Sequence, residues 1–214
     1  MYVDGFNLYH AMDDLNYNFD GRRRLGLKPP ERQCHELKWL DLWALSESFL
    51  RQNQSLVSVN YYSAYAHHVG ASAVRRHETY KAALERQGVR VVMGMFKESI
   101  ARCKNCSRTW KKHEEKESDV RIATDLVADA LLDRFDAAFL ISADSDMKPG
   151  IERVRQEVPK KRVMVVAPPN RYSHARDLQP LFSITKGRLR ECSLPALLQG
   201  DENIERPDKY APVA

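Results

Sequence analysis

The sequence lacks the features that mark several classes of protein. It has four cysteines in 214 residues, which is too few for a disulfide-stabilised scaffold. No run approaches the 18 consecutive apolar residues that indicate a transmembrane helix. The N-terminus shows no basic stretch followed by an apolar one, as a secretion signal would. These absences predict a cytoplasmic protein with no membrane partner.

Neither sign of charge dominates the composition. The chain has 34 Lys and Arg against 29 Asp and Glu, a net charge of +5, and 43% hydrophobic residues exclude wholesale disorder. A pI of about 9.0 leans mildly toward anionic partners, of which nucleic acid is the commonest. The length predicts one domain over residues 1–199, with insertions at about 14–36 and 97–117, followed by a polar tail at 200–214.

Short apolar strands alternate with helical segments along most of the chain. Strands are predicted at 1–3, 56–65, 89–95, 137–141 and 162–167, and helices at 37–52, 71–87, 118–134, 149–156 and near 173–181. The run 137–141 is apolar throughout, which is typical of a strand buried on both faces. The alternation predicts an α/β fold with a mostly parallel central sheet flanked by helices.

Acidic residues follow two of these strands. Asp4 comes directly after the first strand, and Asp144 and Asp146 follow the strand at 137–141. Ligands of open parallel sheets bind beyond the carboxyl ends of the strands, so these carboxylates are expected at one edge of the sheet.

A helical argument adds Asp119 to this edge. It lies in the first turn of a predicted helix, and Ile122 and Leu126, at i+3 and i+7, belong to the apolar face that packs on the sheet. The N-terminus of such a helix faces the carboxyl edge of the strands. Asp125 is six residues further on, roughly 240° around the helix, and is expected either at the rim of the site or in support of the four acids.

Four carboxylates at one edge suggest a cation between them. Like charges repel at short range, and oxygen ligands select hard cations such as Mg²⁺ or Mn²⁺. Such a site suits hydrolysis of a phosphodiester by a metal-activated water. The structural alternative is that each Asp caps a helix or turn, as Asp after a strand commonly does.

Three segments resemble the NYN domain family, a branch of the PIN-like nucleases. They are Tyr2–Leu8 (YVDGFNL), Glu115–Val120 (EKESDV) and Leu140–Asp146 (LISADSD), and their order and spacing fit over roughly residues 1–190. The resemblance implies a Rossmann-like PIN fold and a metal-dependent ribonuclease whose partner is RNA.

The resemblance also implies roles for individual residues. The metal-binding, catalytic acids would be Asp4, Asp119, Asp144 and Asp146. Asn7 would orient Asp4 or contact substrate, Ser142 would support the acidic loop, and Lys116 would touch a phosphate.

Three other functions are alternatives to a ribonuclease. A non-catalytic RNA-binding module would keep the fold without turnover, and a flap-type nuclease would act on DNA. A phosphohydrolase of the haloacid dehalogenase type needs a second Asp two residues after the first, and Phe6 stands there instead. The sequence does not determine the oligomeric state and is compatible with a homo-oligomer.

Cys103 and Cys106 have the spacing of half a structural zinc site. His113, Cys34, His35 or a second subunit would have to complete it. The alternative is a pair of free thiols in a loop.

Basic clusters in the two insertions are the candidates for contact with the RNA backbone. They comprise Arg22, Arg23, Arg24, Lys111 and Lys112. Trp110, beside Lys111, is a candidate for stacking on a base, with a buried core position as the alternative.

Overall fold

A parallel sheet forms the centre of the computed structural model, which describes residues 1–15, 35–103 and 105–212. The strands of the described chain are β1 (Tyr2–Asp4), β2 (Asn60–Ser63), β3 (Arg90–Met93), β4 (Met95–Arg102), β5 (Thr109–Lys116), β6 (Ala137–Ile141), β7 (Arg162–Ala167), β8 (Phe182–Ser183), β9 (Leu197–Leu198) and β10 (Ile204–Glu205). Six of them form the central sheet in the order β3-β2-β1-β6-β7-β8. Each neighbouring pair is parallel.

Helices cover both faces of this sheet. They are α1 (Gly5–Asp14), α2 (Leu42–Glu47), α3 (Ala71–Arg86), α4 (Ser118–Leu131), α5 (Lys148–Glu157) and α6 (Lys186–Glu191). Val3 and Ile141 pack in a buried cluster with α1, α2, α3 and α6, whereas Tyr2 and Leu140 pack in a second cluster with α4 and α5. Successive strand residues face opposite sides of a sheet, so a strand buried on both sides must be apolar throughout. The predicted α/β fold is confirmed.

Two predicted helices are shorter in the structure. The segment 37–52 contains a 3-10 turn at His35–Lys38 and then α2, because Asp41 caps a new helix by accepting from the N–H of Ala44 at 2.9 Å. Near 173–181 only Arg176–Leu178 forms a 3-10 turn. Gln179, which precedes Pro180, has a φ of +54° and ends it.

The predicted insertion at 97–117 is largely an antiparallel ribbon of β4 and β5. Its register pairs Phe96 with Glu115 and Glu98 with His113. Polar side chains lie on both faces of the ribbon, so hydrophobic alternation did not reveal these strands.

Residues after 200 also pack on the domain. β10 pairs with β9, and Tyr210 is buried in the same cluster as Val3 and α3. The polar composition of residues 200–214 gives no indication that the Tyr210 ring belongs to the core. Among the described residues, no helix combines the length and apolar character needed to cross a membrane.

Candidate active site

Asp4 is the buried centre of the candidate site. It ends β1 and caps α1, and its carboxylate accepts from the backbone N–H of Asn7 at 2.9 Å. The other carboxylate oxygen accepts from the Ser142 hydroxyl at 2.8 Å. Burial raises the pKa of Asp4 to about 7, although these two hydrogen bonds act in the opposite direction.

Ser142 joins β1 to the loop that follows β6. While its hydroxyl donates to Asp4, the same oxygen accepts from the N–H of Asp144 at 3.0 Å. Asp144 in turn accepts from the N–H of Asp146 at 3.0 Å and caps a 3-10 turn at Ser145–Met147. One fully buried hydroxyl therefore sets the positions of two acidic segments that are far apart in sequence.

Asp119 reaches the same place from α4. Its carboxyl is half-buried, and its pKa is raised by burial and by the charges of Asp144 and Asp146. Asp119 and Glu115 likewise contribute to the raised pKa of Asp4. Like charges raise a pKa only at short range, so Asp119 lies near Asp4 on one side and near Asp144 and Asp146 on the other.

Glu115 is a fifth acid that the sequence reasoning did not select. It lies near the end of β5, accepts a hydrogen bond from the Ser118 hydroxyl, and has a pKa raised by burial and by Asp119. Glu115 could have been identified from the pairing of β4 with β5, in which it lies opposite Phe96. The polar sequence of the two strands gives no indication of that pairing.

The donor chemistry of these acids fits a divalent cation. A carboxylate has about four lone-pair positions, and the two hydrogen bonds to Asp4 occupy two of them. In the present side-chain positions, no three His, Cys, Asp or Glu residues of the described chain converge closely enough to form a metal-binding group.

Asp125 and Lys116, which were predicted to support the site, instead contact residues outside the four acids. Asp125 accepts from the hydroxyl of Tyr62 at 2.8 Å and from Arg90 at 3.1 Å. It lines a cavity at the opposite edge of the sheet, together with the first residues of β6 and β7. Lys116 is exposed and forms an ion pair with Glu114 at 3.1 Å.

The predicted basic residues that the structure describes lie on β5. Lys111 pairs with Glu98 at 3.0 Å, and Lys112 pairs with Glu114. Trp110 is 52% exposed, which excludes the core position. Arg22, Arg23, Arg24 and Cys34 lie outside the described residues.

The two cysteines of the half zinc motif lie between the strands of the ribbon. Hydrogen bonds from the N–H groups of Cys106 and Asn105 lower the pKa of the Cys103 thiol. His113 pairs with Glu98 further down the ribbon, and its ring stacks on His68 at 4.2 Å. Among the residues that can be described, neither His113 nor His35 forms a metal-binding group with these thiols.

This chain is similar to one family model and to two known proteins. Residues 1–181 match the sequence model of the NYN domain. A 110-residue segment is 26% identical to 6-hydroxy-3-succinoylpyridine 3-monooxygenase of Pseudomonas putida, covering 48% of this chain and 35% of that protein. A crystal structure of a protein of unknown function from Vibrio parahaemolyticus is 20% identical with a TM-score of 0.48, covering 86% of this chain and 91% of that one.

Proposed function

The chain belongs to the NYN domain family, which is nuclease-like, and we propose that it is a metal-dependent ribonuclease that hydrolyses RNA phosphodiester bonds. One observation carries the proposal. The carboxyls of Asp4 and Asp119 have raised pKa values, first because they are buried and second because other acids lie near them. A cation is the natural means of relieving that repulsion.

The acids Asp4, Asp119, Asp144 and Asp146 would hold Mg²⁺ or Mn²⁺, with Glu115 beside them. Bound there, the ion would supply an activated water and neutralise charge on the phosphate. Ser142 fixes Asp4 through one hydrogen bond and the Asp144 backbone through another. Asn7 directs the Asp4 carboxylate through its backbone N–H. These contacts would preset two acids before substrate arrives.

RNA is the proposed partner because the ribbon presents basic and aromatic side chains to solvent. Lys111 and Lys112 are 70% and 54% exposed, and their ion pairs are surface pairs that a phosphate can replace. The half-exposed Trp110 offers a face on which a base can stack. Electrostatic contact of this kind positions a strand without selecting its sequence.

The proposal is tested by Mn²⁺-dependent cleavage of labelled single-stranded RNA. We expect cleavage by the wild type, loss of cleavage in EDTA, and at least a 100-fold loss in Asp144→Asn. Asparagine can accept from the N–H of Asp146 as aspartate does, so the variant should fold. Asp201→Asn, at an exposed acid, is the matched control and should cleave normally.

The other outcomes separate the alternatives. Equal cleavage by wild type and Asp144→Asn would overturn the assignment of the site. RNA binding without metal-dependent cleavage would favour a non-catalytic RNA-binding module. Faster cleavage of a DNA flap than of RNA would favour a flap-type nuclease.

A further inference from the structure

An aromatic cavity of about 300 Å³ begins one residue from Asp4, at Gly5. Rings from six different elements of the fold line its wall. They are Phe6, Tyr61, His68, Tyr80, Phe96 and Tyr210. Small residues, Ala66 and Ala73, leave space between the rings. A cavity of this size is at the lower end of ligand pockets, so it suits a single ring system.

A few polar groups are placed among these rings. Lys38 lies 3.7 Å above the centre of the Tyr9 ring and is paired with Asp13, and Arg76 lines the wall nearby. Burial lowers the pKa of His77 to about 4, so its imidazole is neutral at pH 7. The Nε2 atom of His77 is buried and has no hydrogen-bond partner among the described residues. Flat apolar walls with a few hydrogen-bonding groups are suited to a heteroaromatic ring.

The cavity adjoins the acidic site. Phe6 and His10 line both this cavity and a neighbouring open groove that contains Asp144 and Arg171. The two rings are in edge-to-face contact at 4.3 Å and separate the aromatic cavity from the groove. A nucleotide with its phosphate in the groove would therefore have its base beside the cavity.

We propose that the aromatic cavity binds one unstacked base of the RNA strand, next to the bond that is cleaved. The proposal rests on the proposed ribonuclease function. Proteins that read single-stranded RNA stack its bases on aromatic side chains and hydrogen-bond their edges, and this cavity provides both elements. The positive groups Lys38 and Arg76 favour base edges rich in carbonyl oxygens, so the cavity would give the enzyme a base preference.

The test measures binding of the four nucleoside monophosphates to the wild-type protein in EDTA, by calorimetry. Ribose 5-phosphate is the base-free control, because it carries the same sugar and phosphate. We expect at least one nucleotide to bind about 10-fold more tightly than ribose 5-phosphate. Ala73→Phe fills the cavity from the first turn of α3 and should remove that difference. Ala82→Phe, at an exposed position on the same helix, should retain it.

A second cavity variant keeps the test informative if Ala73→Phe fails to fold. Phe96→Ala removes a ring whose centre lies 4.9 Å from the centre of the His68 ring in the cavity wall. This variant should also weaken nucleotide binding. Equal binding of ribose 5-phosphate and all nucleotides, or full binding by both cavity variants, would overturn the proposal. Because binding is measured without metal or cleavage, a failure of the nuclease assignment is recorded separately from a failure of the base pocket.

Discussion

The Ser142 hydroxyl donates to the Asp4 carboxylate at 2.8 Å, across the boundary between β1 and the loop after β6. Both residues are buried, and they are 138 positions apart in the chain. This contact is the link between the two halves of the acidic site.

Replacing Ser142 with alanine should destabilise the protein by about 1–3 kcal/mol, because it leaves a buried carboxylate oxygen without a donor. Urea denaturation measures this loss. Ser99→Ala, which removes an exposed hydroxyl on β4, is the matched control and should change stability little. Equal stability of Ser142→Ala and wild type would show that the hydrogen bond contributes nothing.

The raised pKa of Asp4 makes stability depend on pH in metal-free buffer. Its pKa is about 7 in the folded protein against 3.8 as the ordinary value, so the folded state binds more protons between these limits. The free energy of unfolding should therefore fall as pH rises from about 4 to 7, by at most about 1.4 kcal/mol per pH unit from this group.

The measurement compares wild type and Asp4→Asn by denaturation in EDTA at pH 5 and pH 7.5. The wild type should lose stability relative to the variant at the higher pH. Asp201→Asn, at an exposed acid, should follow the wild type at both values. A constant difference between wild type and Asp4→Asn would contradict the assigned shift.

Glu115→Gln should weaken Mn²⁺ binding and RNA cleavage by about 10-fold or more, because Glu115 is half-buried beside Asp4 and Asp119. Titration calorimetry with Mn²⁺ and the cleavage assay report the two effects. Glu117→Gln is the control, since Glu117 pairs with Arg121 on the surface. Identical behaviour of the two variants would remove Glu115 from the site.

Gly5→Ala should destabilise the protein by about 1–3 kcal/mol through overpacking. A Cβ at Gly5 would lie 2.5 Å from the Tyr61 ring and 2.6 Å from the carbonyl oxygen of Tyr62. Gly187→Ala in α6 is the matched control, because its Cβ would meet no atom closer than 3.9 Å. That control should be as stable as wild type or more so, since alanine favours a helix. Thermal unfolding distinguishes them.

Replacing Lys111 and Lys112 with alanine should lower the salt dependence of RNA binding. Each phosphate contact to a single strand contributes about −0.7 to the slope of log K against log salt, so losing two should reduce it by about 1.4. Fluorescence anisotropy at several salt concentrations measures the slope. Lys160→Ala with Arg162→Ala removes two charges at the opposite edge of the sheet and should leave the slope unchanged.

Two central strands and the positions of aspartates directly after strands were predictable because they depend on local patterns. The apolar run Ala137–Ile141 matches β6, and Arg162–Ala167 matches β7, because strands buried on both faces are apolar at every position. Asp4, Asp144 and Asp146 were expected at one edge because parallel strands end on the same side.

The ribbon, Glu115 and the aromatic cavity were not predictable from such patterns. The exposed strands of the ribbon carry little hydrophobic periodicity, although their register brings Glu115 to the site. The cavity combines α1, the 3-10 turn at His35–Lys38, α3 and the ribbon, and its last ring, Tyr210, comes from a polar stretch. No local pattern relates residues from such distant segments.

The fold class and the acidic residues that follow the strands could be inferred from local sequence, because the burial of each segment follows from its own residues. The electrostatic state of those acids depends instead on tertiary packing. Asp4 has a raised pKa because the sheet and helices exclude water from it, while Ser142 and Asn7 hydrogen-bond to its carboxylate. Exclusion of water depends on every element that packs around a group, and that packing exists only in the folded chain.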